Sequence, residues 1–464
     1  MPTSRHTRRE FSTRSQGEAP PSDIPHLARE AMKRVDRSRT PSTNVQYRIQ
    51  GHIPLKGTVQ ISGSKNAALP LLAGSLLCKG DVTFQNVPRL RDTETMLKIL
   101  EFLGARTQSK GTTVTVNSDG VTNRHIEHDL VSKLRGSIVL LGPMLARFGE
   151  VSMAYPGGCV LGKRPVDAHI ESFAQLGIEN LSTDTCLHLH GRPVAGEVIL
   201  PEFSVTATEN ILLTAALLPG ETRIELAAAE PHVQDVCRFL AERGVPVGGI
   251  GSHSLTVAGK GAFLPAGIEH TVTSDYLETG AFILAGIASR GQICIRGAVR
   301  NHLLFFLNTL RRAGGKFSWE KNGELFIDGA NSNLVGIRLQ TNIFPGFPTD
   351  LQAPFGVILT QASGVSRIFE VLFEGRMAYL YELEKMGASV EILNSHQALI
   401  IGPTALQGHQ VASNDIRAGF AMVLAGLCAE GETVVTDVRY IERGYDRLEQ
   451  KLKSLGAKIV REEE

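Results

Sequence analysis

A chain of 464 residues, 42% hydrophobic and 20% charged, has length for two to four domains of roughly 100–200 residues each. Its 48 basic and 47 acidic residues nearly cancel, which excludes the clustered basic excess of a nucleic-acid coat. No apolar run reaches the roughly 18 residues of a spanning helix, and six cysteines never spaced as Cys-x-x-Cys give neither a disulfide framework nor a zinc site. No apolar segment opens the chain, so the expectation is a cytoplasmic α/β protein with no membrane partner, no nucleic acid and no metal.

Residues 1–45 stand apart. They carry nine Lys/Arg against five Asp/Glu, many Ser, Thr and Pro, and few large apolar side chains. That composition predicts a disordered basic tail, with one short helix near 27–35. Without it the chain has 39 basic and 42 acidic residues.

From there the sequence repeats itself. Helical patterns close on Gly104, Gly177, Gly244, Gly314, Gly387 and Gly456, at spacings of 73, 67, 70, 73 and 69 residues. A glycine just past a helix supplies the left-handed cap that other residues adopt at a cost. About 40 residues before each glycine, a polar residue opens a helix of small apolar side chains: Lys65, Arg135, Ser204, Asp275, Asp350 and Asp415. β-rich stretches such as Val82-Thr83-Phe84 and Thr433-Val434-Val435 fall between. Six copies of about 70 residues are too long for solenoid repeats and read as six α/β units, grouped three and three.

The openers differ in chemistry. Aspartate at a helix start is the ordinary N-cap, which accounts for Asp275, Asp350 and Asp415 without any function. Lys65 and Arg135 do not fit that account, because the exposed N–H groups of a helix start disfavour cations. Cations placed there point to a strongly anionic ligand. Neither a G-x-x-x-x-G-K-[ST] loop nor a G-x-G-x-x-G turn is present, which argues against P-loop phosphoryl transfer and dinucleotide chemistry. Between Tyr155 and Asp167 lies a Gly-rich segment holding Cys159 close to Lys163 and Arg164. Neighbouring cations and solvent access favour a reactive thiolate, although an incidental loop cysteine fits the spacing equally well. The other five cysteines sit in apolar or strand contexts and read as structural.

Four segments taken together, Ile61-Ser62-Gly63-Ser64-Lys65-Asn66, Pro156-Gly157-Gly158-Cys159, Phe347-Pro348-Thr349-Asp350 and Ile441-Glu442-Arg443-Gly444-Tyr445, resemble the enolpyruvyl transferases. Among these the resemblance is to the UDP-N-acetylglucosamine 1-carboxyvinyltransferases, in order over residues 46–462. It implies two inside-out α/β barrels of three βαβαββ units each around an interdomain cleft. Residues 46–64 plus 273–464 would form one domain and 65–272 the other.

The resemblance also assigns roles. Lys65 and Asn66 would contact phosphoenolpyruvate, Arg164 and Arg443 its phosphate, and Arg376 and Arg417 its carboxylate. Arg135, Arg164, Pro165, Val166, Asp167, Ala168, Ser204, Val205 and Leu372 would form the nucleotide-sugar site. Asp350 would lie beside the sugar 3′-hydroxyl as candidate general base, and Cys159 would be the loop cysteine implicated as proton donor. The implied reaction adds the sugar hydroxyl to C2 of phosphoenolpyruvate and then eliminates phosphate, with no cofactor, at the first committed step of peptidoglycan synthesis. Four positions depart from what the resemblance implies: Thr206 stands where Gly is common and Tyr276 where Arg is common, while Glu202 and Phe344 stand where some members carry Lys and His. They bear on nucleotide-sugar affinity and leave the residues assigned to chemistry intact. Two alternatives stay open: the related 3-phosphoshikimate 1-carboxyvinyltransferase, and a catalytically silent relative that binds the nucleotide sugar.

Since residues 1–45 carry no core-forming pattern, a chain beginning near Val45 is expected to stay folded and to release phosphate from phosphoenolpyruvate as fast as the full chain. Loss of that turnover would place the tail in the site or the assembly.

Overall fold

The computed structural model describes residues 45–157 and 166–463. The expectations for the tail, and for Cys159, Lys163, Arg164 and Pro165, lie outside these residues.

One pairing plan recurs in six sheets. In the sheet around Gly364–Phe369, that strand pairs in parallel with Arg338–Gln340 and antiparallel with Gln397–Gly402, which pairs antiparallel with Ser389–Asn394. In chain order this is a strand, the buried helix Gln352–Thr360, a second strand, the helix Tyr379–Lys385, and two closing strands. The same pairing, parallel once and antiparallel twice, recurs around Pro219–Glu225, Asp81–Gln85, Gln292–Arg296 and Glu432–Thr436, although the parallel strand at Asp81–Gln85 is His270–Thr271 and one antiparallel strand at Glu432–Thr436 is Val45–Gln50. Around Glu150–Ala154 the parallel strand is reduced to a single bridge, Ile126 to Met153. The six predicted terminal glycines all adopt positive φ, from 76° at Gly244 to 109° at Gly104, so a left-handed residue closes the second helix of every unit.

Each unit's first helix is apolar on all sides. Ile416–Cys428 and Val205–Leu217 bury nearly every residue, as helices enclosed by other elements must. The helices Tyr276–Ala288, Gln352–Thr360 and Ile416–Cys428 pack on one another inside one hydrophobic core, built from residues 47–61 and 276–459. Lys65–Gly74, the segment 135–148 and Val205–Leu217 do so in a second core spanning residues 67–272. The second helices, such as Arg91–Leu103 and Pro231–Glu242, bury one face only.

The chain passes between the cores twice, side by side. Gly63 bridges Ser274 antiparallel, Ser64 N–H donates to Thr273 O (2.7 Å), and Asp275 N–H donates to Ser62 O (2.9 Å). Gly63 is obligatory at this crossing, because a Cβ there would lie 1.8 Å from Asn86 O. The strands flanking the crossing each complete a sheet of their own core. Lys56–Gln60 pairs with Gln292–Arg296, and His270–Thr271 pairs with Asp81–Gln85. Lys451 Nζ ties the crossing down, reaching both Glu278 Oε1 (2.6 Å) and Ser62 Oγ (2.8 Å).

Buried histidines give the fold a pH signature. His169 is 4% exposed; burial, with Arg135 nearby, pulls its pKa from 6.5 down to about 3. It therefore stays neutral in the fold while the unfolded chain gains a proton below about pH 6.5. Its contribution is intact above that pH and is lost as pH falls toward the folded value, by about 1.4 kcal/mol per pH unit. The stability advantage of the wild type over His169→Gln, measured by urea unfolding, is expected to shrink steadily from pH 7 to pH 5. A constant difference would show that His169 is not held neutral.

Candidate active site

Four of the predicted cations, Lys65, Arg376, Arg417 and Arg443, gather where the two cores meet. Lys65 is the first residue of its helix, behind Ser64, whose hydroxyl caps the Ala67 N–H. The helix's own N-terminus offers a cation no support, so the Lys65 ammonium turns to Asp92 of the neighbouring helix (Nζ to Oδ2, 3.3 Å). The other Asp92 oxygen accepts from Arg443 Nε at 3.0 Å. Arg443 ends the turn Ile441–Arg443, which belongs to the opposite core. One carboxylate, 5% exposed, thus joins a cation from each core.

A second cluster surrounds Asp350. Unlike Asp275 and Asp415, which accept backbone N–H groups at their helix starts, Asp350 caps nothing; it lies in the 3-10 turn Thr349–Leu351. Its Oδ1 accepts from Arg376 Nη2 (2.6 Å) and its Oδ2 from Arg417 Nε (3.0 Å). The N-cap reading of this residue is therefore corrected: its carboxylate serves side chains. Burial alone would raise the Asp350 pKa, but the charges of Arg417 and Arg376 outweigh it and hold the carboxyl well below the usual range.

The two arginines are themselves held. Arg376 Nη1 donates to Thr349 Oγ1 (2.6 Å), and that hydroxyl donates to Glu370 (2.8 Å), a carboxylate fully removed from solvent. Glu370 also accepts from Thr341 Oγ1 and from the Leu372 N–H. Arg417 lies over the ring of Tyr445 (5.3 Å), which stacks on Phe420. Burial pushes the Tyr445 phenol up to about 12, against the pull of Arg417. Arg417 Nη1 is buried and makes no hydrogen bond among the described residues. The clusters adjoin, since a Cβ at Gly444 would lie 3.7 Å from Arg417 Nη1.

The remaining predicted residues fall on the second core or beside the arginine cluster. Asn66 occupies the first turn of the Lys65 helix. Arg135 opens a 3-10 turn, Arg135–Leu140, ahead of the α-helix Leu141–Phe148, and donates to Pro156 O (3.0 Å) at the edge of the Cys159 segment. Val166 precedes the helix Asp167–Ala174, where Asp167 is exposed and Ala168 buried. Ser204 caps the helix that Val205 begins. Leu372 is exposed, two residues beyond Glu370. Of the departures, Glu202 is exposed, Thr206 meets His169 (3.1 Å), and Tyr276 and Phe344 form an edge-on aromatic pair at 6.4 Å.

Sequence reasoning missed Asp92, Thr349 and Glu370 as site residues. Asp92 sits in the first turn of Arg91–Leu103, where an acid is the default complement to the helix dipole. Its second role depends on a turn 351 residues away and leaves no local signal. The five described cysteines are free, and burial pushes Cys78 up to about 11 and Cys237 and Cys428 up to about 12, as unreactive core thiols. Among the described residues, no group of three or more His, Cys, Asp or Glu side chains is arranged to hold a metal, and no helix is long and apolar enough to cross a membrane.

The fold and its paired cation clusters belong to an enolpyruvyl transferase: the family model described as EPSP synthase (3-phosphoshikimate 1-carboxyvinyltransferase) matches residues 49–452. The enolpyruvyl transferase NikO from Streptomyces tendae superposes with a TM-score of 0.82 at 22% identity, over 91% of this chain and 100% of that one. An EPSP synthase from Acinetobacter baumannii superposes with a TM-score of 0.72 at 17% identity, over 90% and 100%. Curated sequences narrow the class. The UDP-N-acetylglucosamine 1-carboxyvinyltransferase of Psychromonas ingrahamii is 40% identical over 90% of this chain and 99% of its own length. That of Desulfosudis oleivorans is 39% identical over 89% and 98%. The chain belongs to the UDP-N-acetylglucosamine 1-carboxyvinyltransferase family.

The Asp92 carboxylate is shared by Lys65 and Arg443. Asp92→Asn is expected to lower the thermal midpoint without ligand and to enlarge the rise that inorganic phosphate produces, because an external anion then supplies the missing charge. Midpoints equal to wild type with and without phosphate would remove Asp92 from the site.

Proposed function

We propose that this chain transfers the enolpyruvyl group of phosphoenolpyruvate to the 3′-hydroxyl of UDP-N-acetylglucosamine, releasing phosphate, as its family does at the first committed step of peptidoglycan synthesis. The observation that carries the reading is the pairing of cations into two adjoining clusters. Lys65 and Arg443 meet at one carboxylate, Arg376 and Arg417 at another. Phosphoenolpyruvate has two anionic ends, and forked guanidinium groups suit both. In this reading Lys65, Asn66, Arg164 and Arg443 hold the phosphate side, and Arg376 and Arg417 hold the carboxylate. Arg135, residues 164–168, Ser204, Val205 and Leu372 receive the nucleotide sugar.

The catalytic steps are assigned to four residues. Asp350 takes the proton of the attacking hydroxyl and Cys159 delivers one to C3, while Lys65 and Arg443 stabilise the phosphate as it leaves. Cations supplied by the chain do the electrostatic work, so the reading needs neither metal nor organic cofactor. The two cores correspond in this proposal to two inside-out barrels, 46–64 plus 273–464 and 65–272, closing over the site in the cytoplasm.

Phosphate release from phosphoenolpyruvate separates this reading from its nearest rival. Release dependent on UDP-N-acetylglucosamine supports it; release dependent on shikimate 3-phosphate alone overturns it. Asp350→Asn is expected to lower turnover by about 10² to 10⁴ with a much smaller loss of nucleotide-sugar binding. Arg443→Ala is expected to act mainly on phosphoenolpyruvate, raising its KM. Near-normal turnover in Asp350→Asn would remove it as the base. For Cys159, the family resemblance suggests alkylation by the epoxide phosphonate fosfomycin. Mass spectrometry is expected to place a single adduct there, formed faster with UDP-N-acetylglucosamine bound and more slowly with excess phosphoenolpyruvate. Cys159→Asp should resist the drug and keep some activity. Adducts spread over several cysteines would count against the assignment.

A further inference from the structure

Asp350 is poorly placed to act as a base in the ligand-free protein. Both its oxygens are engaged, one by Arg376 at 2.6 Å and one by Arg417 at 3.0 Å. A carboxylate in such a fork binds a proton far more weakly than an ordinary one, whereas a general base works best with a pKa near the operating pH. Both properties can belong to one residue only if the fork is vacated during the reaction.

The three partners differ in freedom. The side chains of Arg376 and Arg417 are 4% and 6% exposed, and that of Asp350 is 30% exposed. Arg376 is fixed through Thr349 to the buried Glu370. Arg417 has its backbone N–H capped by Asp415 and its guanidinium laid over Tyr445. Asp350 makes no capping bond that would fix its carboxylate. The arginines form a rigid fork, and the aspartate is the movable occupant. Arg417 Nη1, buried and unpaired among the described residues, shows that the fork has a donor that Asp350 does not use.

We propose that the carboxylate of phosphoenolpyruvate displaces Asp350 from Arg376 and Arg417, and that this exchange turns Asp350 from an internal counter-ion into the base. The proposal rests on the reading of Asp350 given above. Once displaced, Asp350 loses two close cations and gains a neighbouring anion, and both changes raise its proton affinity. The other titratable groups facing this locus are His232 from the second core, Tyr276 and Asp275 from one central helix, Tyr445 beside Arg417, and Glu230 near Tyr276. His232 is held neutral by burial, at about 4, and so does not replace the lost positive charge near neutral pH.

The proton count closes. In the addition, the sugar oxygen bonds to C2 and its proton passes to Asp350, while C3 receives a proton from Cys159. In the elimination, the C2–O bond to phosphate breaks, C3 returns a proton to the Cys159 thiolate, and phosphate leaves with the proton held by Asp350. The fork then recaptures the Asp350 carboxylate as product departs, so the base is disarmed whenever phosphoenolpyruvate is absent.

The test is a proton count on binding. The full chain, saturated with UDP-N-acetylglucosamine, is titrated near pH 5.5 with 2-phospholactate, the saturated analogue of phosphoenolpyruvate, in two buffers of different ionisation heat. Wild type is expected to take up at least about half a proton more than Asp350→Asn, the ligand's own ionisation being common to both. Equal counts overturn the exchange. Should Asp350→Asn fail to fold or bind, infrared difference spectra of the wild type decide instead. A protonated-carboxyl band should appear on binding of the analogue, and its absence overturns the proposal. Turnover of Asp350→Asn keeps the two ideas apart. Lost turnover with equal proton counts removes the exchange and leaves the base; retained turnover with unequal counts removes the base and leaves the exchange.

Discussion

Lys65, Arg376, Arg417 and Arg443 reach two adjoining clusters from four separate stretches of chain, and like charges so placed repel unless something of opposite sign stands among them. Two aspartates do so, each taking two cations: Asp92 between Lys65 and Arg443, Asp350 between Arg376 and Arg417. Breaking a buried ion cluster by removing one partner leaves an uncompensated charge, which is far more costly than the net worth of the pairs. A site for a multiply charged substrate can therefore be stable when empty only if it carries its own anions. Those anions must also yield to the substrate's, which favours partly exposed carboxylates over backbone or buried ones. Asp350 meets that condition more fully than Asp92, whose side chain is 5% exposed.

The fold supplies the positions through its repetition. Each unit buries an apolar helix, and the N-terminal turns of these helices bring Lys65, Ser204, Asp350 and Asp415 to the ends of the two cores. The double crossing at Gly63 and Ser274 then ties the cores together, since the strands that flank it, Lys56–Gln60 and His270–Thr271, each complete a sheet in their own core. The Asp92–Arg443 pair adds a second, ionic connection remote from that crossing in sequence. One link is covalent and woven into sheets; the other is a salt bridge between side chains.

Much of this was legible in the sequence, for local reasons. The six glycines at intervals near 70 residues needed only the backbone rule that left-handed caps favour glycine, and all six obey it. The N-cap rule held for Asp275 and Asp415 and failed for Asp350, because a free carboxylate at a helix start is claimed by the nearest strong donors. Here two guanidiniums from residues 376 and 417 outcompete the backbone. The anionic-ligand argument from Lys65 anticipated an anion beside it but not that the protein would provide one. Asp92 escaped notice because its local role is ordinary and its partner lies in the other core. Arg135 introduces a 3-10 turn in place of a regular helix start, a distinction that composition does not carry.

Three of the four departures, Thr206, Tyr276 and Phe344, can be placed by the same reasoning. Thr206, β-branched at a helix start, receives a hydrogen bond. Asn210 Nδ2 can only donate to His169 Nδ1, so the neutral ring must carry its proton on Nε2 and donate it to Thr206 Oγ1. The substitution is thereby tied to the buried network that joins Asn210 to Ile138 O and Gly142 N–H. Tyr276 and Phe344, in place of a cation and an imidazole, pack edge to face, and burial keeps the Tyr276 phenol neutral. Among the described residues, the Asp350 carboxylate is paired with Arg376 and Arg417, one to each oxygen.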